Sequence, residues 1–197
     1  MRIEFWIDYL CPITYLTHKN LVDAIDELNL KGYDLFYRSF QLNDDELELM
    51  KSNKDYIEVM ENNNLTIEKF NTTTIHQVAH LAKRKDLAKE FAEEILKDIH
   101  IDDNKNVNNE RVFEIAKECG MDPNEIKTVI DTQCYTKQIN SNKINAKNRG
   151  INLVPHIRVN VKNNLFGYQD KETIKKFLIE ILRKQPSTEY CGEYCDY

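Results

Sequence analysis

An α/β domain interrupted by an all-helical insertion is the fold class this sequence predicts, on three observations. Residues 1–40 read as strand, helix, strand. Residues 44–140 carry helical apolar spacing with no convincing alternation. After residue 140 strand and helix patterns return, as a hairpin and a closing helix. The division that follows is 1–43 and 141–184 as one discontinuous α/β domain, 44–140 as the insertion, and 185–197 as a polar, aromatic tail holding Cys191-Gly-Glu-Tyr-Cys195. At 197 residues the chain is long enough to bury a core of this kind.

The first element is a strand in which Ile3, Phe5 and Ile7 alternate with Glu4, Trp6 and Asp8, the period-2 pattern of two distinguishable faces. It stops at Cys11-Pro12. Proline suits the first position of a helix, where its missing N–H costs nothing and its fixed φ already fits. Cys11 therefore falls at the helix N-cap. There, unpaired backbone N–H groups and the positive end of the helix dipole favour thiolate over thiol. The expectation is a partly exposed nucleophile with a lowered pKa, helped by the Thr14 hydroxyl one turn on; a small buried hydrophobe is the alternative for a lone cysteine. Leu16, Leu21, Ala24, Ile25 and Leu28 continue the helix to about Leu30, and Gly32 ends it. The aromatic run Tyr33–Phe40 is the second strand, parallel to the first.

The insertion reads as helices over 52–62, 71–84, 87–100, 110–119 and 123–132. Gly120 marks a helix end, and Asp122-Pro-Asn-Glu125 supplies an N-cap Asp, Pro at N1 and Glu at N3. His76 and His80 lie four apart on one helical face, but no third ligand accompanies them, so no metal site is expected there. Asp102–Asn106 fails as a calcium loop because Val107 stands where glycine is required and Phe113 where the bidentate Glu belongs. Asp44-Asp-Glu46 and Lys83-Arg-Lys85 read as solvated surface, and Cys119 and Cys134 as inert core thiols.

Past the insertion, Ile144–Arg149 ends at Gly150, and Ile151–Pro155 leads into a strand at His156–Asn160. Lys162-Asn-Asn164 reads as the turn before Leu165-Phe-Gly167, and Glu172–Leu182 is the closing helix. The net charge of −6, with no run of Lys/Arg interleaved with aromatics, argues against nucleic acid as a partner. No apolar run approaches a membrane span, and Met1-Arg2 enters the first strand directly. Five cysteines without framework spacing fit a reducing compartment, so a cytoplasmic location is expected. Cys191 and Cys195 could close a local disulfide, but two ligands make no zinc site.

The run Asp8-Tyr-Leu-Cys11-Pro12-Ile13-Thr14-Tyr15 resembles the active-site opening of the DsbA-like thioredoxin-fold family, most closely its cytoplasmic FrnE-type branch. The 2-hydroxychromene-2-carboxylate isomerase and kappa-class relatives are more distant. Arg38–Asn43, Asn71–His76, Gly150–Pro155 and Gly167–Gln169 follow in the family's order, so the resemblance covers nearly the whole chain. It implies a thioredoxin-like fold with the DsbA-type helical insertion. It also implies a thiol–disulfide oxidoreductase or isomerase in which Cys11, Pro12, Thr14 and Pro155 form the catalytic site and Val154, Tyr15 and His156 contact substrate. Pro155 would be cis, although an X-Pro bond taken by itself is cis in only about 5–6% of cases, and the Val154 backbone would be free to pair with an extended ligand. The sequence departs from the family at Thr14, where the second, resolving cysteine usually stands. A monothiol of this kind needs an outside thiol, or Cys191 and Cys195, to release its substrate. Protein or small-molecule disulfides and thiols are the implied partners, with no cofactor beyond a low-molecular-weight thiol such as glutathione, and neither nucleic acid nor membrane. Two other classes stay open: a degenerate fold used as a protein-binding adaptor, and a glutathione-dependent isomerase or transferase that activates a bound thiol.

Overall fold

A computed structural model describes residues 1–102 and 107–184. Four strands form one mixed sheet in the order β2-β1-β3-β4, with β1 (Arg2–Ile7), β2 (Asp34–Ser39), β3 (His156–Val159) and β4 (Asn163–Phe166). The β1–β2 pair is parallel and the other two are antiparallel. Helix α1 (Pro12–Glu27) joins the parallel strands, as the period change at Cys11-Pro12 predicts.

Strand β1 is buried on both faces, where its alternation predicts only two distinguishable ones. Ile3, Phe5 and Ile7 share a core with Leu21 and Ile25 of α1 and with Ile174 and Leu178 of the closing helix α9 (Lys171–Lys184). Trp6 packs on the other face with Phe40, Ala146, Ile151 and Val154. Burying an aromatic side chain of this size contributes about 2–3 kcal/mol. Glu4 is tolerated beside Trp6 because Arg2 and Arg38 each donate to its carboxylate at 2.9 Å.

Between the two parts of the sheet the described residues hold helices only: α2 (Asp44–Lys51), α3 (Lys54–Asn62), α4 (Thr73–Arg84), α5 (Ala88–His100), α6 (Asn109–Glu118), α7 (Pro123–Thr132) and α8 (Thr136–Lys147). The boundary read at 140/141 falls inside α8. The insertion also shares its core with the sheet, since Phe91, Ile95, Val112 and Ile126 belong to the same apolar cluster as Phe5 and Leu21.

Three local readings need correction. Asp44-Asp-Glu46 opens α2, with Asp44 and Asp45 solvated as expected but Glu46 buried. The Asn43 side chain accepts from Glu46 N–H, and the Glu46 carboxylate accepts from Asn43 N–H, both at 2.9 Å, a reciprocal capping box. Cys134 is exposed in the link between α7 and α8, while Cys119 is half-buried. The β3–β4 turn lies at Asn160–Lys162, two residues before its predicted place: Lys162 N–H donates to Asn160 O at 2.8 Å around Val161, whose φ is +70°. That is a γ-turn, held by the Asn160 N–H to Arg2 O bond and the Arg2 N–H to Asn160 Oδ1 bond, both 2.9 Å.

Candidate active site

The N-cap of α1 is Cys11, with extended φ and ψ of −86° and 112° and Pro12 at N1. Its sulfur lies 3.7 Å from the carbonyl of Val154, and the Val154–Pro155 bond is cis. Strand pairing explains the meeting: β1 ends at the Cys11 edge of the sheet, and β3 begins at that edge because Trp6 is paired with His156. Gly167, just past β4, closes the loop by donating its N–H to Pro155 O at 2.9 Å.

Burial overturns the expected exposure and acidity of Cys11. The side chain is 0% exposed, enclosed with Leu10, Ile13, Leu47, Met50 and Tyr56. Burial pushes the thiol up to about 11, although the Thr14 hydroxyl and the N–H groups of Thr14 and Ile13 pull the other way; the Asp8 charge adds to the rise. The helix-terminus donors are present as predicted, but loss of water outweighs them. The Thr14 hydroxyl is 0% exposed and, beyond its pull on the Cys11 thiol, has no hydrogen-bond partner.

Other named residues divide between the site and the scaffold. Val154 and Pro155 are buried against the site. The Val154 carbonyl is not free for a ligand, because it accepts from both the Cys11 thiol and the Tyr56 hydroxyl, the latter at 3.1 Å. Tyr15 is half-buried and lines a separate small cavity with His18, Glu93 and Lys97. His156 is 1% exposed, pairs with Asn164 at 3.0 Å and lies edge-on to Phe166. Neither Tyr15 nor His156 lines the cleft beside Cys11. Cys191 and Cys195 lie outside the described residues.

Sequence reading missed Leu47, Met50, Tyr56 and Tyr168, which pack around the cysteine from α2, α3 and the end of β4. The available signal was the Asn43 capping box, which starts a helix within reach of the site. A cleft of about 560 Å³ opens alongside, lined by Asn53, Tyr56 and Val59 of α3 and by Leu153, Gly167 and Tyr168.

Asp8 anchors this corner from beneath. Its Oδ2 accepts from Leu42 N–H at 2.6 Å, and its Oδ1 accepts from Leu10 N–H at 3.3 Å and His76 Nε2 at 3.2 Å. Burial opposes ionisation, yet these donors, His76 first, hold the Asp8 carboxyl below its ordinary value. His76 is thus a buried partner of Asp8, not one of a pair of metal ligands. His80 stacks on Tyr135 instead. Among the described residues no group of three metal-binding side chains occurs.

Acid sensitivity follows. His18, His80 and His100 are pushed down to about 4, chiefly by burial, so the unfolded chain takes up protons first. Their contribution is complete above the unfolded value of about 6.5 and is lost as pH falls from there through 4. The lowered carboxyls of Asp8, Glu4 and Glu46 add a second loss as pH falls below their unfolded values of about 4. Urea midpoints should decline from pH 7 to 4.5 and more steeply by pH 3.5; a flat profile from pH 7 to 3.5 would contradict these placements.

Comparison with known proteins agrees with this fold. The family described as "DSBA-like thioredoxin domain" matches residues 2–178. No curated protein matches the chain. The structure is similar to one described as a probable DsbA oxidoreductase from Streptomyces coelicolor, with a TM-score of 0.78 and 19% identity over 100% of this chain and 94% of the other. It is also similar to a 2-hydroxychromene-2-carboxylate isomerase, at a TM-score of 0.69 and 13% identity over 93% and 97%. The cytosolic disulfide reductase DsbM from Pseudomonas aeruginosa gives 0.68 and 13% over 93% and 99%. That reductase is also known with GSH, at a TM-score of 0.63 and 15% identity over 93% and 100%. At these identities the likeness concerns the fold. No helix among the described residues is long and apolar enough to cross a membrane.

Proposed function

We propose, for a chain that belongs to the DSBA-like thioredoxin domain family, a FrnE-type monothiol exchange of disulfides centred on Cys11. The observation that carries this reading is the placement of the Cys11 sulfur at the N-cap of α1, 3.7 Å from the carbonyl that precedes a cis proline. In the first step the Cys11 thiolate attacks one sulfur of a substrate disulfide. A Cys11–substrate S–S bond forms, the substrate S–S bond breaks, and the other half leaves as a thiolate that takes up a proton. With Thr14 in place of a second cysteine, the next turn of α1 offers no thiol to attack that bond. Release then needs a thiolate from outside: it bonds to the substrate sulfur and returns Cys11 as thiolate. A small cytoplasmic thiol such as glutathione suits this role, and the GSH-bound DsbM relative supports it. Protein or small-molecule disulfides are the substrates, with Cys191 and Cys195 as the internal alternative for release.

The test traps the mixed disulfide by intact-mass analysis after mixing with a labelled disulfide, in wild type and in Thr14→Cys. Thr14 occupies the third residue of α1, where a cysteine places its sulfur one turn from Cys11. Wild type should hold a Cys11 adduct that persists until glutathione is added. Thr14→Cys should release it by internal attack, leaving a disulfide between Cys11 and the introduced thiol and freeing the substrate thiol, with a lifetime shortened about tenfold or more. A Cys11 labelled in neither native protein but labelled in urea would defeat the exchange reading. It would favour a protein-binding adaptor, the reading to which the complete burial of Cys11 lends weight.

A further inference from the structure

Helix α3 covers Cys11 with very little holding it down. Of its nine residues only Tyr56 is buried; Val59 and Met60 are half-buried at the margin of the cluster around the cysteine. Tyr56 sits in the first turn, set by the Asn53 side chain, which accepts from Asp55 and Tyr56 N–H. Its hydroxyl donates to Val154 O at 3.1 Å. The end of β4 runs close beside it: a Cβ on Gly167 would stand 3.5 Å from the Tyr56 hydroxyl oxygen, an ordinary contact, so glycine is favoured there by its φ of +69° and not by lack of space.

We propose that Tyr56 is a positioning residue that latches α3 over Cys11, so that exchange chemistry begins only when the Tyr56 hydroxyl leaves the Val154 carbonyl. This inference rests on the exchange reading above and adds its control. Three observations support it. An attacking sulfur must approach its partner disulfide in line, and a side chain with 0% exposure leaves no such path. The carbonyl that holds the latch is also the one that takes the Cys11 S–H bond, so both of its lone pairs are engaged and an incoming N–H donor must displace Tyr56. Finally, a nine-residue helix with one buried side chain opens locally at far lower cost than the domain unfolds. Opening admits substrate and water together, which brings the thiol from about 11 toward the ordinary value near 8.5.

The experiment measures iodoacetamide alkylation of Cys11 against pH, read by peptide mass, in wild type and Tyr56→Phe. That substitution removes the hydroxyl and keeps the ring. Tyr56→Phe should react roughly three- to tenfold faster at pH 7.5, the range one neutral hydrogen bond supplies, with its profile displaced to lower pH. Identical rates and profiles would overturn the latch. A second measurement needs no variant. Methyl methanethiosulfonate places a methylthio group on Cys11, forming the S–S bond and releasing methanesulfinate, and hydrogen exchange is then compared with the free protein. The α3 amides from Ile57 to Asn62 should lose protection, and full retention would also overturn the latch. The two ideas fail separately. Faster alkylation in Tyr56→Phe with no disulfide turnover in either protein keeps the latch and removes the exchange reading. Turnover in wild type with no effect of Tyr56→Phe does the reverse.

Discussion

Cys11→Ser is expected to abolish disulfide exchange, with a loss of about 10³-fold or more, since removing a nucleophile leaves only the residual effect of binding. Serine keeps the N-cap position and can donate to the Val154 carbonyl as the thiol does, so the fold should persist. Its hydroxyl stays protonated at neutral pH and does not attack a disulfide. The informative readout is reduction of a glutathione mixed disulfide across pH, alongside thermal unfolding of both proteins. Wild-type activity should climb steadily above pH 7, because burial pushes the thiol of the closed form up to about 11 and opening brings it only toward the ordinary value near 8.5, so thiolate is the minor species at pH 7 in both. Activity retained in Cys11→Ser would move the chemistry to a bound thiol and restore the isomerase or transferase class.

Asp8→Ala should cost about 3–5 kcal/mol, because three buried donors lose their acceptor and each one left unsatisfied costs roughly 1–3 kcal/mol. The carboxylate is 1% exposed, and its loss strands His76 Nε2 and the N–H groups of Leu10 and Leu42 away from water. With a urea slope near 2 kcal/mol/M, the midpoint should fall by about 1.5–2.5 M with the slope unchanged. Asp8→Asn should recover only part, because its NH₂ faces donors on whichever side it is turned unless the His76 imidazole switches tautomer. A cost under about 1 kcal/mol for Asp8→Ala would show that water reaches this corner. The same residue serves the site, since Leu10 and Leu42 flank the cluster that encloses Cys11.

Helix and strand periods, Pro12 at N1, the Asp122-Pro123 start of α7 and the glycines just past α6 and α8 are local signals, whereas α1 ends at Glu27, with Asn29 and not Gly32 taking the left-handed turn after it. Each acts on its own few residues, so each was legible without a fold. The order strand-helix-strand, helices, hairpin, helix follows from them. What was read less well depended on partners distant in the chain. Glu46 looked like surface because Lys143 and Lys147, which bind it at 2.6 and 2.8 Å, lie about a hundred residues away. The division at residue 140 cut through α8 because a mean hydropathy pattern cannot say where one packed body ends when both share a core.

By itself, then, the sequence determined the αβ frame, the helical insertion, the N-cap place of Cys11, and the absence of a second cysteine one turn on, where Thr14 stands. The tertiary structure alone decided the state of that cysteine. A helix N-terminus acts over a few ångströms and can be read from neighbours in the chain. Desolvation depends on what folds over the sulfur, and here that cover is Leu47, Met50 and Tyr56, residues from two other helices. Burial is the larger effect on the thiol, so the local signal for a thiolate gives way to a protonated sulfur held between Val154 and Tyr56.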